Sequence, residues 1–212
     1  MRLSFVLEIG VLSFASTCLA QEWEAGGAFA FGIYRNATIT NPAGSAGAGF
    51  DDRFGLGGVL SQNLYEHFTG ELPYTFRDGD LKLWQGSQKV NMDGDADAIH
   101  YDMLFSPLSR ESRIRPFAAA GAGIKYFRAT GKEYVSQPFA DFAKLTKTNQ
   151  VEPLISVGGG VRYALSRNLA ARLEFRDYIT PFPKKLFVTA GGAKIHGWLN
   201  DLVPMLGVSY VF

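Results

Sequence analysis

The sequence has one cysteine in 212 residues, Cys18, and three scattered histidines, His67, His100 and His196. A lone thiol closes no intramolecular disulfide, and no metal-ligand spacing of Cys or His is present, so no metal and no cofactor is expected. After the first 20 residues there is no apolar run of the roughly 18 residues that a spanning helix needs. Charge of either sign is not in excess. The formal net charge is +1, which gives no electrostatic case for nucleic acid. Charged residues are only 19% against 47% hydrophobic, which excludes a disordered chain. Glycine and phenylalanine are plentiful instead, with 24 and 17 copies, a skew that suits β-structure with crowded backbones and aromatic anchors.

The N-terminus reads as a secretory leader. Met1-Arg2 is a short basic start, Leu3 to Phe14 is mostly apolar despite Glu8, and Ser16, Thr17, Cys18 and Ala20 are small. Cleavage after Ala20 satisfies the small-x-small rule. The run of about 12 residues is short of the roughly 20 that span a bilayer. The expected organisation is a signal peptide over 1–20 and one domain over 21–212. Cleavage there would leave a mature chain without a thiol; lipidation of Cys18 is the alternative.

The remainder alternates with a period of two, the signature of strands. Eight segments stand out, at about 23–34, 47–60, 68–77, 96–105, 115–128, 151–165, 169–179 and 198–212. In the sixth, Ile155, Val157, Val161, Tyr163 and Leu165 oppose Glu152, Ser156, Gly158, Gly160 and Arg162. In the last, Leu206, Val208, Tyr210 and Phe212 share one face while Met205, Gly207 and Ser209 share the other. The connections alternate too. Those at 61–67, 106–114 and 166–168 are short, and those at 36–46, 78–95, 129–150 and 180–197 are long. Lipid tolerates only helices and closed sheets, so a membrane protein of this pattern is a barrel. Its short turns would be periplasmic and its long loops extracellular.

The charges assign the faces. Glu71, Arg77, His100, Asp102, Lys125, Glu152, Arg162, Arg172, Glu174 and Arg176 all fall opposite the large apolar groups. One charge facing mid-bilayer lipid costs about 2–4 kcal/mol. Ten facing out would be prohibitive, so these residues are expected inside as a paired polar network. Eight strands leave an interior just wide enough for side chains to fill. Glycines at 32, 55, 57, 121, 123, 158 and 160 make room for the longer ones. Leu206, Val208, Tyr210 and Phe212 are expected to face lipid. Tyr34, Tyr74, Tyr101, Tyr126, Tyr163, Trp198, Tyr210 and Phe212, near strand ends, are candidates for aromatic girdles.

With these residues in view, the chain resembles the small eight-stranded outer-membrane barrels of the OmpA-type and OmpX-type superfamily. Arg115-Pro116-Phe117-Ala118-Ala119-Ala120-Gly121-Ala122-Gly123 is similar to the Arg-Pro-aromatic strand start of that group. Arg172-Leu173-Glu174-Phe175-Arg176-Asp177-Tyr178 resembles its penultimate strand, and Phe212 its terminal aromatic assembly signal. The resemblance implies an all-β, eight-stranded antiparallel up-and-down transmembrane barrel in a cell outer membrane. It also implies recognition by the outer-membrane insertion machinery. The chain departs from the group in carrying no peptidoglycan-binding domain after Phe212, so anchoring to the cell wall is not implied.

Candidate chemistry is thin. His100 and Asp102 are two apart on the inner face, and some small outer-membrane barrels do modify lipid A. Such an enzyme needs its base and nucleophile accessible, and no Ser follows at a telling position. Asp93-Gly94-Asp95-Ala96-Asp97 fails the calcium-loop template, with Ala98 at the sixth position and Leu104 at the twelfth. Gly121-Ala122-Gly123 and Gly158-Gly159-Gly160 lack phosphate-loop spacing. Lys132, Lys144, Lys147, Lys184, Lys185 and Lys194 fall in the long loops, where lipopolysaccharide phosphates could meet them.

The expectation is a non-enzymatic monomer with a side-chain-plugged interior, contacting outer-membrane lipids and acting through structure or its loops. The alternatives are a lipid A-modifying barrel enzyme, a small pore, and a soluble lipocalin-like carrier. The last requires an apolar interior, which the charged inner face opposes.

Overall fold

The computed structural model describes residues 23–42, 44–190 and 192–212. The expected leader lies outside the described residues. Fifteen strands follow one another: β1 (Trp23–Arg35), β2 (Ala37–Asn41), β3 (Gly44–Phe50), β4 (Arg53–Asn63), β5 (Phe68–Asp78), β6 (Leu81–Gln85), β7 (Gln88–Met92), β8 (Gly94–Phe105), β9 (Ile114–Ala129), β10 (Ala143–Leu145), β11 (Asn149–Ala164), β12 (Leu169–Pro181), β13 (Phe187–Thr189), β14 (Lys194–His196) and β15 (Trp198–Val211). Eight of them close an antiparallel barrel in the order β1-β15-β12-β11-β9-β8-β5-β4. These are the eight strands expected from alternation.

Closure is made by the first strand. β1 pairs with β4 on one side, as in Phe29 opposite Leu56, and with β15 on the other, as in Phe29 opposite Leu206. At the foot of the seam the Trp23 amide donates to the Phe212 carbonyl at 3.0 Å, and the Phe212 amide returns a bond to Trp23 at 2.9 Å. The sheet therefore has no edge there.

The outer face is apolar and open. Phe29 is 72% exposed, Phe54 76% and Leu206 60%. Val208, Tyr210 and Phe212 are also exposed, while Ser209 and Val211 between them are buried. A water-soluble chain rarely shows so large a contiguous apolar surface. Trp23, Tyr210 and Phe212 sit at the short-turn rim, and Trp198 at the opposite rim. Tyr34 does not join a girdle. It follows the outward Ile33, so the strand's alternation sends its ring inward, where it is buried beside Phe50.

The second barrel strand begins later than expected. Gly47 to Phe50 belong to β3, which pairs with β2 and β6 and lies outside the barrel. Two aspartates turn the chain between β3 and β4. The Asp51 amide donates to the Asp80 carbonyl at 2.9 Å, and Asp52 Oδ1 accepts from the Tyr34 amide at 2.9 Å. The alternation of small and large residues runs across this corner, and so conceals it.

The long connections are ordered into a cap. β14, β2, β3, β6 and β7 form a five-stranded sheet, and β10 pairs with β13. Their inner faces meet over the barrel end in one apolar cluster that includes Ile39, Phe50, Leu81, Leu83, Phe127, Leu145, Leu186 and Phe187. Phe50 stacks on Phe127 with centroids 5.1 Å apart and meets Phe187 edge-on at 5.7 Å.

Asp51 ties the outside of this sheet together, with Lys82 at 3.0 Å and Lys89 at 3.1 Å. Partial burial pushes the Asp51 carboxyl up, but the hydrogen bonds and charges of Lys82 and Lys89 outweigh it and hold it below its ordinary value. A carboxyl depressed by folding adds stability above its unfolded pKa and loses it as pH falls through the folded one. Amides of β6 and β7 should thus exchange faster as pH drops below about 4, the unfolded carboxylate range, beyond the intrinsic change in exchange rate. Asp51→Asn should flatten that dependence; an equal pH response in the variant would refute the role of Asp51.

Candidate functional site

The inward positions of the eight barrel strands build the only extended polar interior among the described residues. Six carboxylates (Glu24, Glu71, Asp102, Glu152, Glu174, Asp201) share it with six cations (Arg77, Arg115, Lys125, Arg162, Arg172, Arg176). They fall into tiers along the barrel axis.

In the tier nearest the short turns, Glu24 accepts from Arg162 Nε at 2.8 Å and from the Ser209 hydroxyl. In the middle tier, Arg172 Nη2 reaches both Glu71 oxygens, at 2.9 and 2.8 Å, and Glu174 Oε1 at 2.7 Å. Arg176 donates to Glu174 at 3.0 Å and to Asp102. Asp102 also binds His100 Nδ1 at 2.8 Å and accepts from the Ser156 hydroxyl at 3.2 Å. In the tier beneath the cap, Asp201 receives Arg77, at 2.7 Å from Nη1, together with Lys125. The Tyr34 ring lies 5.0 Å from the Arg77 guanidinium and 4.8 Å from Lys125 Nζ, so both cations gain cation–π contacts as well.

Glycine supplies the room. A Cβ on Gly32 would lie within the Arg77 guanidinium, and one on Gly55 would meet the aliphatic part of the same side chain. What space remains is small. One void lies among Glu24, Glu71, Arg115 and Arg172, and another beside Glu71, Arg172, Glu174 and Met205. Each holds about 30 Å³, room for one or two waters.

Of the ten inner residues expected from sequence, eight enter these tiers as paired groups: Glu71, Arg77, Asp102, Lys125, Arg162, Arg172, Glu174 and Arg176. His100 joins through its hydrogen bond to Asp102. Glu152 is buried but stands apart near the cap, accepting from the Gln150 amide. Two carboxylates that organise whole tiers were missed. Glu24 sits at the very start of β1, where alternation has barely begun. Asp201 lies between Asn200 and Leu202, near the start of the expected strand 198–212, whose faces are assigned only from Met205 onward. Its phase with Val203, Met205 and Ser209, all buried, was the available signal.

The His100–Asp102 pair does not form a nucleophilic site. Ser156 lies on Asp102, not on the imidazole. The imidazole is 2% exposed and packs 5.0 Å from the Tyr178 ring. A nucleophile needs its base within hydrogen-bond reach, with access for substrate. The acidic run 93–97 is used structurally as well. Asp95 and Asp97 both pair with Arg128, Asp97 at 2.7 Å from Nη2, and Asp97 also accepts from the Tyr74 hydroxyl.

No protein-family model matches the sequence. No curated protein matches it either. Solved structures do match in fold. The chain superimposes on OprG from Pseudomonas aeruginosa with a TM-score of 0.56 at 15% identity, over 91% of this chain and 96% of that one. For Neisserial surface protein A the TM-score is 0.54 at 13% identity, over 90% and 97% of the two chains. For the Escherichia coli outer membrane protein W it is 0.51 at 13% identity, over 91% and 98%. Identities this low speak for the fold alone. The chain has the fold of those small outer-membrane proteins, an antiparallel β-barrel closed on eight strands with its apolar side chains outside.

Proposed function

We propose that this protein is a non-catalytic outer-membrane barrel, stoppered by its own side chains, that acts through its extracellular cap. The observation that carries this reading is the double seal along the axis. Tiers of ion pairs leave voids of only about 30 Å³, and the Phe50, Phe127 and Phe187 cluster lies across the extracellular end above them. A solute crossing the barrel would have to break both. The cap is built as a folded surface of seven short strands, which suits presentation to a partner better than a set of loose loops does. Lys184 and Lys194 flank a cleft of about 290 Å³ on it, the place where lipopolysaccharide phosphates are best met. Phe212, exposed at the end of the closing strand, is available as the assembly signal for the insertion machinery.

Planar-bilayer recording tests the seal. The purified barrel should give no sustained single-channel steps; large, long-lived openings would contradict the reading. The pairing itself is tested by Glu174→Ala. Removing one partner of a buried ion pair typically costs about 3–5 kcal/mol. Arg172 keeps Glu71 and Arg176 keeps Asp102, so the loss should lie at the low end, about 3 kcal/mol, read as a lowered urea midpoint in lipid. An unchanged midpoint would show that Glu174 holds neither arginine.

A further inference from the structure

A wide polar opening lies at the opposite end from the cap. Below Glu24 and Arg162 the barrel widens into a vestibule of about 940 Å³, bordered by the short turns at 106–113 and 165–168. Five arginines line it, Arg110, Arg113, Arg115, Arg162 and Arg167, against the two carboxylates Glu66 and Glu111.

Arg115 shows what this end is suited to. It projects inward from the start of β9, its side chain is 7% exposed, and its Nε has no hydrogen-bond partner. Deeper in the barrel each arginine meets a carboxylate: Arg77 has Asp201, Arg172 has Glu71 and Arg176 has Asp102. Arg115 makes no ion pair among the described residues. It also stands directly opposite Arg162 in the β9–β11 ladder. Like charges placed opposite one another in a sheet repel. Arg162 is neutralised by Glu24, and Arg115 is not. Nearby, Arg110 Nε is likewise buried without a partner. Neither guanidinium makes an ion pair among the described residues, Glu66 being held instead by the Arg110 amide at 3.2 Å, and both line the same polar opening.

We propose that the vestibule binds a phosphate-bearing anion from the periplasmic side, with Arg115 and Arg110 as its principal contacts and Arg162 and Arg167 at its border. A guanidinium fork matches phosphate oxygens two at a time. A recess with low-dielectric walls strengthens the attraction beyond that of an exposed arginine. Two sources carry this chemistry. One is a phospholipid head group of the leaflet that surrounds the short-turn rim. The other is a soluble pyrophosphate or phosphate ester. The site is at the far end from the cap, so this inference does not rest on the stoppered-barrel reading.

The test uses the whole barrel folded in an uncharged detergent. Inorganic pyrophosphate is titrated calorimetrically, and phosphatidylglycerol is compared with an uncharged diacylglycerol by native mass spectrometry. Saturable one-to-one binding of at least one phosphate probe is expected, weakening with salt. Pyrophosphate binding would assign a soluble ligand, and phosphatidylglycerol binding alone a head group. Arg115→Gln and Arg110→Gln should each weaken binding about tenfold or more, the loss of one charge-assisted contact. Arg53→Gln, at the other end, where the guanidinium is already paired with Asp80 at 2.8 Å, should leave it unchanged. The bound anion should also raise the thermal midpoint of the wild type and not that of Arg115→Gln. Should Arg115→Gln fail to show the heat-shifted band of a folded barrel, Arg110→Gln carries the same comparison. No saturable binding of either probe, or full affinity in the folded variants, would overturn the proposal.

Discussion

Hydrocarbon offers no hydrogen-bond partner to a peptide group, and the rest of this molecule depends on that. A sheet in lipid must close, so β1 must find β15. The reciprocal bonds between Trp23 and Phe212 mark where the first and last barrel strands join. An even number of strands then returns both described ends to one side, and the short turns gather there. Closure also separates the two faces of every strand completely. One sees lipid and the other sees only the inside of a narrow tube, so each charged residue on a spanning strand has a single tolerable direction.

The interior follows from that segregation. An eight-strand tube has little room, and charges confined in it must satisfy one another. The chain answers with forked arginines that each bind more than one acid: Arg172 bridges Glu71 and Glu174, and Arg176 bridges Glu174 and Asp102. Such shared partners couple the pairs of the middle tier, and Arg172 Nη1, 3.8 Å from Glu24 Oε1, links that tier to the one nearest the short turns. Where the polar tiers end, beneath the cap, Tyr34 faces both ways. Its ring lies against Arg77 and Lys125 on one side and Phe50 on the other. It joins the ionic interior to the apolar cluster above.

The barrel was legible because two constraints act on the same residues. Period-two alternation marks the strands, and charge marks the inner face. Where only one acted, the reading slipped. Gly47 to Phe50 alternate like barrel residues but belong to β3, because the corner at Asp51-Asp52 leaves no mark in the pattern. The cap strands fall in segments whose pattern predicts loops, since three to seven residues show too little period. Leu81 and Leu83, both fully buried, stand among Lys, Asp and Gly that look like turn. Asp201 and Glu24 are single charges among small or apolar inward neighbours, so their phase alone does not mark them as partners. Their roles depend on Arg77, Lys125 and Arg162, which are remote in sequence and meet them only when the tube is shut.

The proposed roles divide along the barrel axis: a folded cap at one end, a paired interior in the middle, and an arginine-lined opening at the other end. All three require that β1 be zipped to β15 in one register. Residues 23–212 contain no cysteine, so a cross-link can measure this directly. Cysteines at Phe29 and Leu206, which face each other across the seam, should form an intramolecular disulfide under mild oxidation in lipid. Cysteines at Phe31 and Leu206, offset by two residues on the same face, should not. A bond that forms equally well in the offset pair, or only between separate chains, would contradict the closed barrel and everything built on it.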